Sequence, residues 1–195
     1  MKKIILASAS PRRRDLLSSL GLDFEVYATD ADESAPEGVT PAELVAILAR
    51  RKAEAALAHC HDGIIVAADT VVSIDGVVLG KPQDDCDAAR MLRMLSGRKH
   101  TVYTGVCVAA AGDCVTETVA TDVYMRRLSD DEIWNYIRTG EPRDKAGAYG
   151  IQGLGGIFVT RIEGEYFNVT GMPKEATARL LSHLGVDILS LNAKI

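Results

Sequence analysis

The chain has 195 residues, 47% of them hydrophobic, which suits one domain able to bury well over half of its unfolded surface. Its formal charge of -5, from 22 basic and 27 acidic residues, offers no overall field to a nucleic-acid backbone, so clustered arginines and lysines need a local explanation and small anions fit better than DNA. Cys60, Cys86, Cys107 and Cys114 lack CxxC or metal spacing, as do His59, His61, His100 and His183, which leaves reduced, mostly structural thiols.

Ile4-Ile-Leu-Ala7 reads as a short buried strand, and it stops at Ser8 before three arginines. It is therefore neither a signal peptide nor a membrane span, and the cytoplasm is the default location. Ser10-Pro11 predicts an N-cap followed by proline at the first helical position, with the helix running to Leu20 and stopping at Gly21. Asp23 to Ala28 alternates like a second strand, and Asp30 to Gly38 is acidic and turn-rich, an exposed loop. Thr40-Pro-Ala-Glu43 is a capping box opening a helix through about Cys60.

Gly63 to Ile74 predicts a strand, Asp75-Gly76 a tight hairpin turn, and Val77 to Leu79 the return strand. Asp84 to Ser96 is amphipathic, with Ala88, Met91, Leu92 and Leu95 on one face. Thr101 to Ala110 and Cys114 to Met125 read as a long hairpin across which Cys107 and Cys114 can face each other. Ser129-Asp-Asp-Glu132 is a second capping box, for a helix to about Thr139. A glycine-laden loop spans Gly140 to Gly156, followed by strands Ile157 to Ile162 and Tyr166 to Val169, and by a last helix from Pro173 to near Gly185. Helix-crossed strands early and hairpins later argue for one continuous α/β unit with a mixed sheet.

Several segments carry residues suited to a polyphosphate. Ser8 and Ser10 bring hydroxyls to a helix N-terminus, whose positive end attracts phosphate. Arg12, Arg13 and Arg14 point about 100° apart, so at most two face one ligand and one is left to solvent. As a merely solvated first turn this would be unfavourable, because cations there oppose the helix dipole. Asp69, in Ala68-Asp-Thr70, ends or interrupts an apolar strand. It suits a Mg²⁺ ligand or a base for water, or else a strand-edge carboxylate bonded to a neighbouring amide.

Other positions are ambiguous by themselves. Lys81 sits between Gly80 and Pro82, which fix the backbone and aim its ammonium, although no Walker A string is present. Lys52, in the run Arg50-Arg-Lys52, reads by itself as an ordinary solvated helix face rather than a functional cation. Glu33 can complete a metal site with Asp69 or simply remain hydrated. Gln152 offers one donor and one acceptor from a glycine-rich loop that is otherwise a mobile surface segment.

In this order and at these separations, the segments resemble the Maf family of nucleoside triphosphate pyrophosphatases from Lys3 to about Leu181. Ser8-Ala-Ser-Pro-Arg-Arg and Asp144-Lys-Ala-Gly-Ala-Tyr-Gly-Ile-Gln-Gly153 carry most of the specificity. The resemblance implies a two-lobed mixed β-sheet flanked by helices, the fold of the inosine triphosphate pyrophosphatases. It implies a cytoplasmic homodimer that turns a nucleoside triphosphate and water into the monophosphate and pyrophosphate with a divalent cation, Mg²⁺ or Mn²⁺. Asp69 matches the family's proposed general base, and Glu33, Lys52 and Lys81 its other catalytic, phosphate or metal contacts.

Arg12, Thr70 and Gln152 match the subgroup acting on dTTP and UTP, where relatives preferring 7-methyl-GTP carry Trp, Gln and Glu. The family is also linked to arrest of septum formation. Thr170-Gly-Met-Pro173 departs from its usual Gly-Leu-Pro turn, and the tail after Gly185 has no interpretable counterpart. The alternatives are a pyrophosphatase for purine triphosphates such as ITP, XTP or 7-methyl-GTP, and a nucleotide-binding regulator of septum formation without turnover.

Overall fold

A computed structural model describes residues 2–193. Strands β1 (Ile4–Leu6), β2 (Phe24–Val26), β3 (Ile64–Ile74), β4 (Val77–Leu79), β5 (Lys99–Ala110), β6 (Asp113–Met125) and β7 (Val159–Glu163) form one sheet. Its order is β2-β1-β3-β5-β6-β7, with β4 paired to β3. β1 runs parallel to β2 and β3, whereas β3 with β4 and β6 with β7 are antiparallel, so the α/β sheet is mixed as expected. The helices are α1 (Pro11–Ser18), α2 (Pro41–Leu57), α3 (Asp85–Leu95), α4 (Asp130–Arg138), α5 (Tyr166–Val169), α6 (Lys174–His183) and α7 (Ile188–Asn192). The chain divides into two compact units. One comprises the chain up to Asp69, Thr104–Val119 and everything from Gly171 onward; the other comprises Thr70–Tyr103 and Ala120–Thr170.

In the first unit, α2 starts where the sequence places it. The Thr40 side chain accepts from the Glu43 N–H while the Glu43 carboxylate accepts from the Thr40 N–H at 2.8 Å, so the capping box is complete. Its inner face is rich in alanine, and Ala49, Ala53 and Ala56 pack with Ile5, Ala7, Ile65, Ala67, Cys107 and Ala109. Small side chains let the helix lie close to the sheet, as at Gly105 of β5, where an added Cβ would stand 2.3 Å from the Val45 carbonyl oxygen. The Cys107 and Cys114 sulfurs face each other at 3.4 Å as free thiols. Helix α1 ends two residues earlier than expected, through a turn that closes at Gly21 with φ +70°.

The tail forms one more helix than the sequence suggests. Asp187 caps α7 by accepting from the Leu189 and Ser190 N–H groups, and the Asn192 amide donates to the Leu20 carbonyl at 2.9 Å.

In the second unit, Asp75 (φ 52°) and Gly76 (φ 76°) make the two-residue hairpin turn that the Asp-Gly pair predicts. The expected face of α3 is buried with Val72, Ile74, Leu79, Ile133, Ile137 and Phe158, and Ser129 and Glu132 form the second capping box.

One expectation for this unit fails, and one alternative reading is set aside. Tyr166–Val169 is a helical turn, not a strand. Gly164, at φ +124°, turns the chain out of β7, and the buried Asn168 amide donates to the Val102 carbonyl (3.0 Å) and to Thr121 Oγ1 (2.9 Å), overriding the β-propensity of its neighbours. The glycine-laden loop is not a loose surface segment either. It folds into 3-10 turns at Glu141–Asp144, Ala146–Ala148 and Leu154–Phe158, with Gly147 to Gly150 buried.

Candidate active site

Three consecutive basic residues of α2 diverge as a helix requires, and only one turns inward. Arg50 pairs with Glu54 one turn along, on the exposed side. Arg51 donates to the Asp32 carboxylate at 3.1 Å and to the Ser34 carbonyl at 2.8 Å. Lys52 places its ammonium between two carboxylates, 2.5 Å from Asp69 Oδ1 and 2.7 Å from Glu33 Oε1. The Lys52 and Asp69 side chains are each 13% exposed and Glu33 68%, so the inner pair is largely desolvated while the outer carboxylate rides on an open loop.

The solvated-face reading of Lys52 is therefore wrong, and that of Glu33 is incomplete. Asp69 interrupts β3 rather than ending it, since apolar positions resume at Val71.

The loop holding Glu33 is ordered locally. Asp32 accepts from the Ser34 N–H at 2.9 Å and from its hydroxyl at 2.8 Å, which with Arg51 holds the Asp32 carboxyl below its usual value. Arg51 was not singled out from the sequence. Its signal was its place one residue before Lys52, turned 100° toward the same acidic loop.

At the start of α1, Ser10 occupies the N-cap without capping through its side chain, and Pro11 supplies the first helical residue. The Ser8 hydroxyl instead accepts from the Ser10 N–H (3.2 Å) and from the Arg13 guanidinium (3.3 Å), whose Nε donates to the Gly171 carbonyl at 2.9 Å. Burial holds the Arg13 pKa below the usual arginine value, and the charge of Arg12 adds to this while Asp69 and Glu33 oppose it. Arg13 thus belongs electrostatically to the group centred on Lys52. Arg12 is half-buried and Arg14 exposed, as three residues 100° apart require. The turn Gly171-Met172, read only as a departure from a motif, anchors Arg13, with Met172 fully buried.

Thr70, Lys81 and Gln152 belong to the second unit. Thr70 follows Asp69 on β3 and is half-buried, whereas Lys81 and Gln152 are exposed. Gly80 has open space around its Cβ position, so crowding does not demand glycine there; its carbonyl accepts from the Gly147 N–H at 3.0 Å, tying the Lys81 segment to the glycine-rich loop. Gln152 lies in a turn closed by the Gly153 N–H bonding to the Gly150 carbonyl at 3.2 Å.

Among the described residues no three His, Cys, Asp or Glu side chains gather as a metal-binding group. Asp69 and Glu33, brought to one ammonium, still offer the one or two carboxylates with which Mg²⁺ is held when substrate phosphates complete its shell. The donor set fits such an ion.

Residues 3–184 match the family model described as Maf-like protein. The chain belongs to the Maf family. It is 48% identical over 191 residues to a protein from Pelotomaculum thermopropionicum named dTTP/UTP pyrophosphatase, covering 97% of this chain and 100% of that one. A protein of the same name from Thermococcus gammatolerans is 50% identical over 187 residues, covering 96% of this chain and 99% of its own. Among solved structures, the Ham1 protein of Staphylococcus aureus aligns with a TM-score of 0.47 at 18% identity, over 64% of this chain and 72% of that one. No helix among the described residues of this Maf chain is long and apolar enough to cross a membrane.

Proposed function

We propose that this chain hydrolyses dTTP and UTP to the nucleoside monophosphate and pyrophosphate. The observation that carries the reading is the Lys52 ammonium shared by Asp69 and Glu33 with Arg13 in the same field, in a chain alike over nearly its whole length to proteins named for this reaction.

Asp69 takes the proton of a water whose oxygen bonds to the α-phosphorus as the bond to the bridging oxygen breaks, and the electron pair leaves with pyrophosphate. Lys52, Lys81, Arg12 and Arg13 oppose the charge that accumulates on the phosphoryl oxygens, and the Ser8 and Ser10 hydroxyls with the α1 N-terminus add hydrogen-bond donors. A divalent cation, Mg²⁺ or Mn²⁺, held by Asp69 and Glu33 supplies further neutralisation of the triphosphate when bound. Gln152 selects the base: uracil and thymine present a carbonyl beside an N3–H, which one primary amide answers with its own donor and acceptor, while guanine shows two adjacent donors that suit a carboxylate better. Thr70 and Arg12 act with it in substrate selection.

A panel of canonical and modified triphosphates, with products resolved by chromatography, tests the reading. Monophosphate and pyrophosphate in equal amounts from dTTP and UTP are expected. Asp69→Asn is expected to lower turnover by about 10²–10⁴-fold with nucleotide affinity broadly kept. Tight nucleotide binding with no monophosphate formed in Mg²⁺ or Mn²⁺ would refute the proposal, as would near wild-type turnover of Asp69→Asn for the role given to that residue.

A further inference from the structure

The most elaborate polar network of the second unit contains none of the residues assigned above. Glu141 pushes its carboxylate into the glycine-rich loop. Oε2 accepts from the Leu154 N–H at 2.9 Å, and Oε1 accepts from the Gly155 N–H at 3.1 Å and from the Tyr136 hydroxyl at 2.8 Å. That hydroxyl in turn accepts from the Gly150 N–H at 3.0 Å. Tyr136 is buried, with its ring edge-on to Phe158 at 5.0 Å, so the hydroxyl has a fixed position.

Several glycines of the loop are explained by this insertion. A Cβ at Gly153 would stand 2.5 Å from Glu141 Oε2, one at Gly155 would stand 2.6 Å from the Tyr136 hydroxyl, and one at Gly150 would stand 3.0 Å from Glu141 Oε1. Burial alone would raise the Glu141 pKa. The N–H groups of Gly155 and Leu154, the Tyr136 hydroxyl and the Lys145 charge outweigh it and hold the carboxyl below its usual value.

These bonds grip the loop on both sides of the exposed Gln152. Gly150 lies two positions before Gln152, and Leu154 and Gly155 lie two and three after it. We propose that Glu141 and Tyr136 are positioning residues for nucleobase selection, bracing the Gly150–Gly153 turn so that the Gln152 amide is presented to the base in one place. Neither touches the nucleotide; both act through Gln152. The inference rests on the reading of Gln152 as the base contact. Apolar packing of similar volume would steady a loop as well, but the several acceptor sites of this half-buried carboxylate define backbone positions that packing leaves loose.

The test is a double-mutant cycle on the full chain, with steady-state kinetics for UTP and GTP and a thermal unfolding check on each variant. Tyr136→Phe keeps the ring against Phe158 but leaves the buried Gly150 N–H without its acceptor, and Glu141→Gln sets an amide donor against the loop N–H groups. Each is expected to raise the UTP KM roughly tenfold, more than it lowers kcat, and to reduce the UTP-over-GTP ratio of kcat/KM by a similar factor. In a Gln152→Ala background the same substitutions are expected to change both quantities by less than about twofold.

Equal effects in the two backgrounds would mean that the network acts on the fold rather than through Gln152, and would overturn the proposal. So would an unaltered UTP KM in a folded Tyr136→Phe variant, whatever becomes of Glu141→Gln. If Gln152→Ala by itself leaves the UTP-over-GTP ratio unchanged, the base-contact reading fails and the brace falls with it. A shifted ratio in Gln152→Ala with a silent Tyr136→Phe removes the brace alone.

Discussion

Gly105→Ala should damage the candidate active site by displacing the helix that carries Lys52. An alanine Cβ there would lie 2.3 Å from the Val45 carbonyl oxygen, 2.5 Å from its carbon and 2.8 Å from the Ala46 nitrogen. All three are backbone atoms of α2, so no side-chain rotation relieves the overlap. Restoring an ordinary contact of about 3.4 Å requires α2 to withdraw from β5 by about 1 Å. Overpacking of this kind costs about 3 kcal/mol, which for a chain of this size lowers Tm by about 6–12 °C.

Lys52 is seven residues after Val45 and therefore on nearly the same helical face. It moves with the helix, away from the Asp69 carboxylate it now meets at 2.5 Å. A displacement of about 1 Å in such an arrangement costs on the order of 100-fold in kcat/KM. Calorimetry and dTTP hydrolysis well below the variant's Tm measure the two effects separately. A Gly105→Ala protein with wild-type Tm and activity would refute the packing argument, and one with lowered Tm but intact activity would refute the coupling of α2 position to catalysis.

Three further outcomes are expected. Burial lowers the His100 pKa from 6.5 to about 4, with its Nε2 2.8 Å from the Tyr149 hydroxyl, so between those values the unfolded chain binds the extra proton and stability falls as pH falls. The loss is about 2 kcal/mol from pH 7 to pH 5, and His100→Gln should flatten that part of a Tm-against-pH curve; an unchanged slope would count against the burial argument. Burial pushes the Cys107 thiol up to about 12, whereas Cys86 is exposed, so a maleimide at pH 7.5 should label Cys86 first by peptide mapping and reach Cys107 only on unfolding. Arg51→Ala removes the anchor of the Asp32–Ser34 loop and, at about 1 kcal/mol of lost ordering, should lower kcat/KM about fivefold with little change in Tm; full activity would show that the loop needs no such tie.

Features whose partners lie close in the chain were legible in advance. The Thr40–Glu43 and Ser129–Glu132 boxes and the Asp75-Gly76 turn depend on four or fewer consecutive residues, and each formed as written. The strand expected at Tyr166–Val169 failed because the partners of Asn168 are Val102 and Thr121, far away in sequence, and local propensity carries no trace of them. Gly105 looks like any strand glycine until Val45 arrives against it. Within the site, Asp69 and Lys52 were each ambiguous, and only the likeness of the whole chain to a family joined them. The roles of Glu141 and the Gly171 carbonyl in holding other residues were invisible because each is a supporting contact, with no chemistry of its own to leave a motif.

The two carboxylates at Lys52 are mounted differently. Asp69 is built into β3, which has neighbours on either side, so dislodging it means tearing the sheet; Glu33 hangs from an irregular span tethered mainly through Arg51. Gentle warming or dilute urea will loosen the outer acid long before the inner one. On the proposed roles of these two residues, turnover should accordingly fade by degrees while the chain is still folded, as the outer carboxylate comes adrift before the inner one.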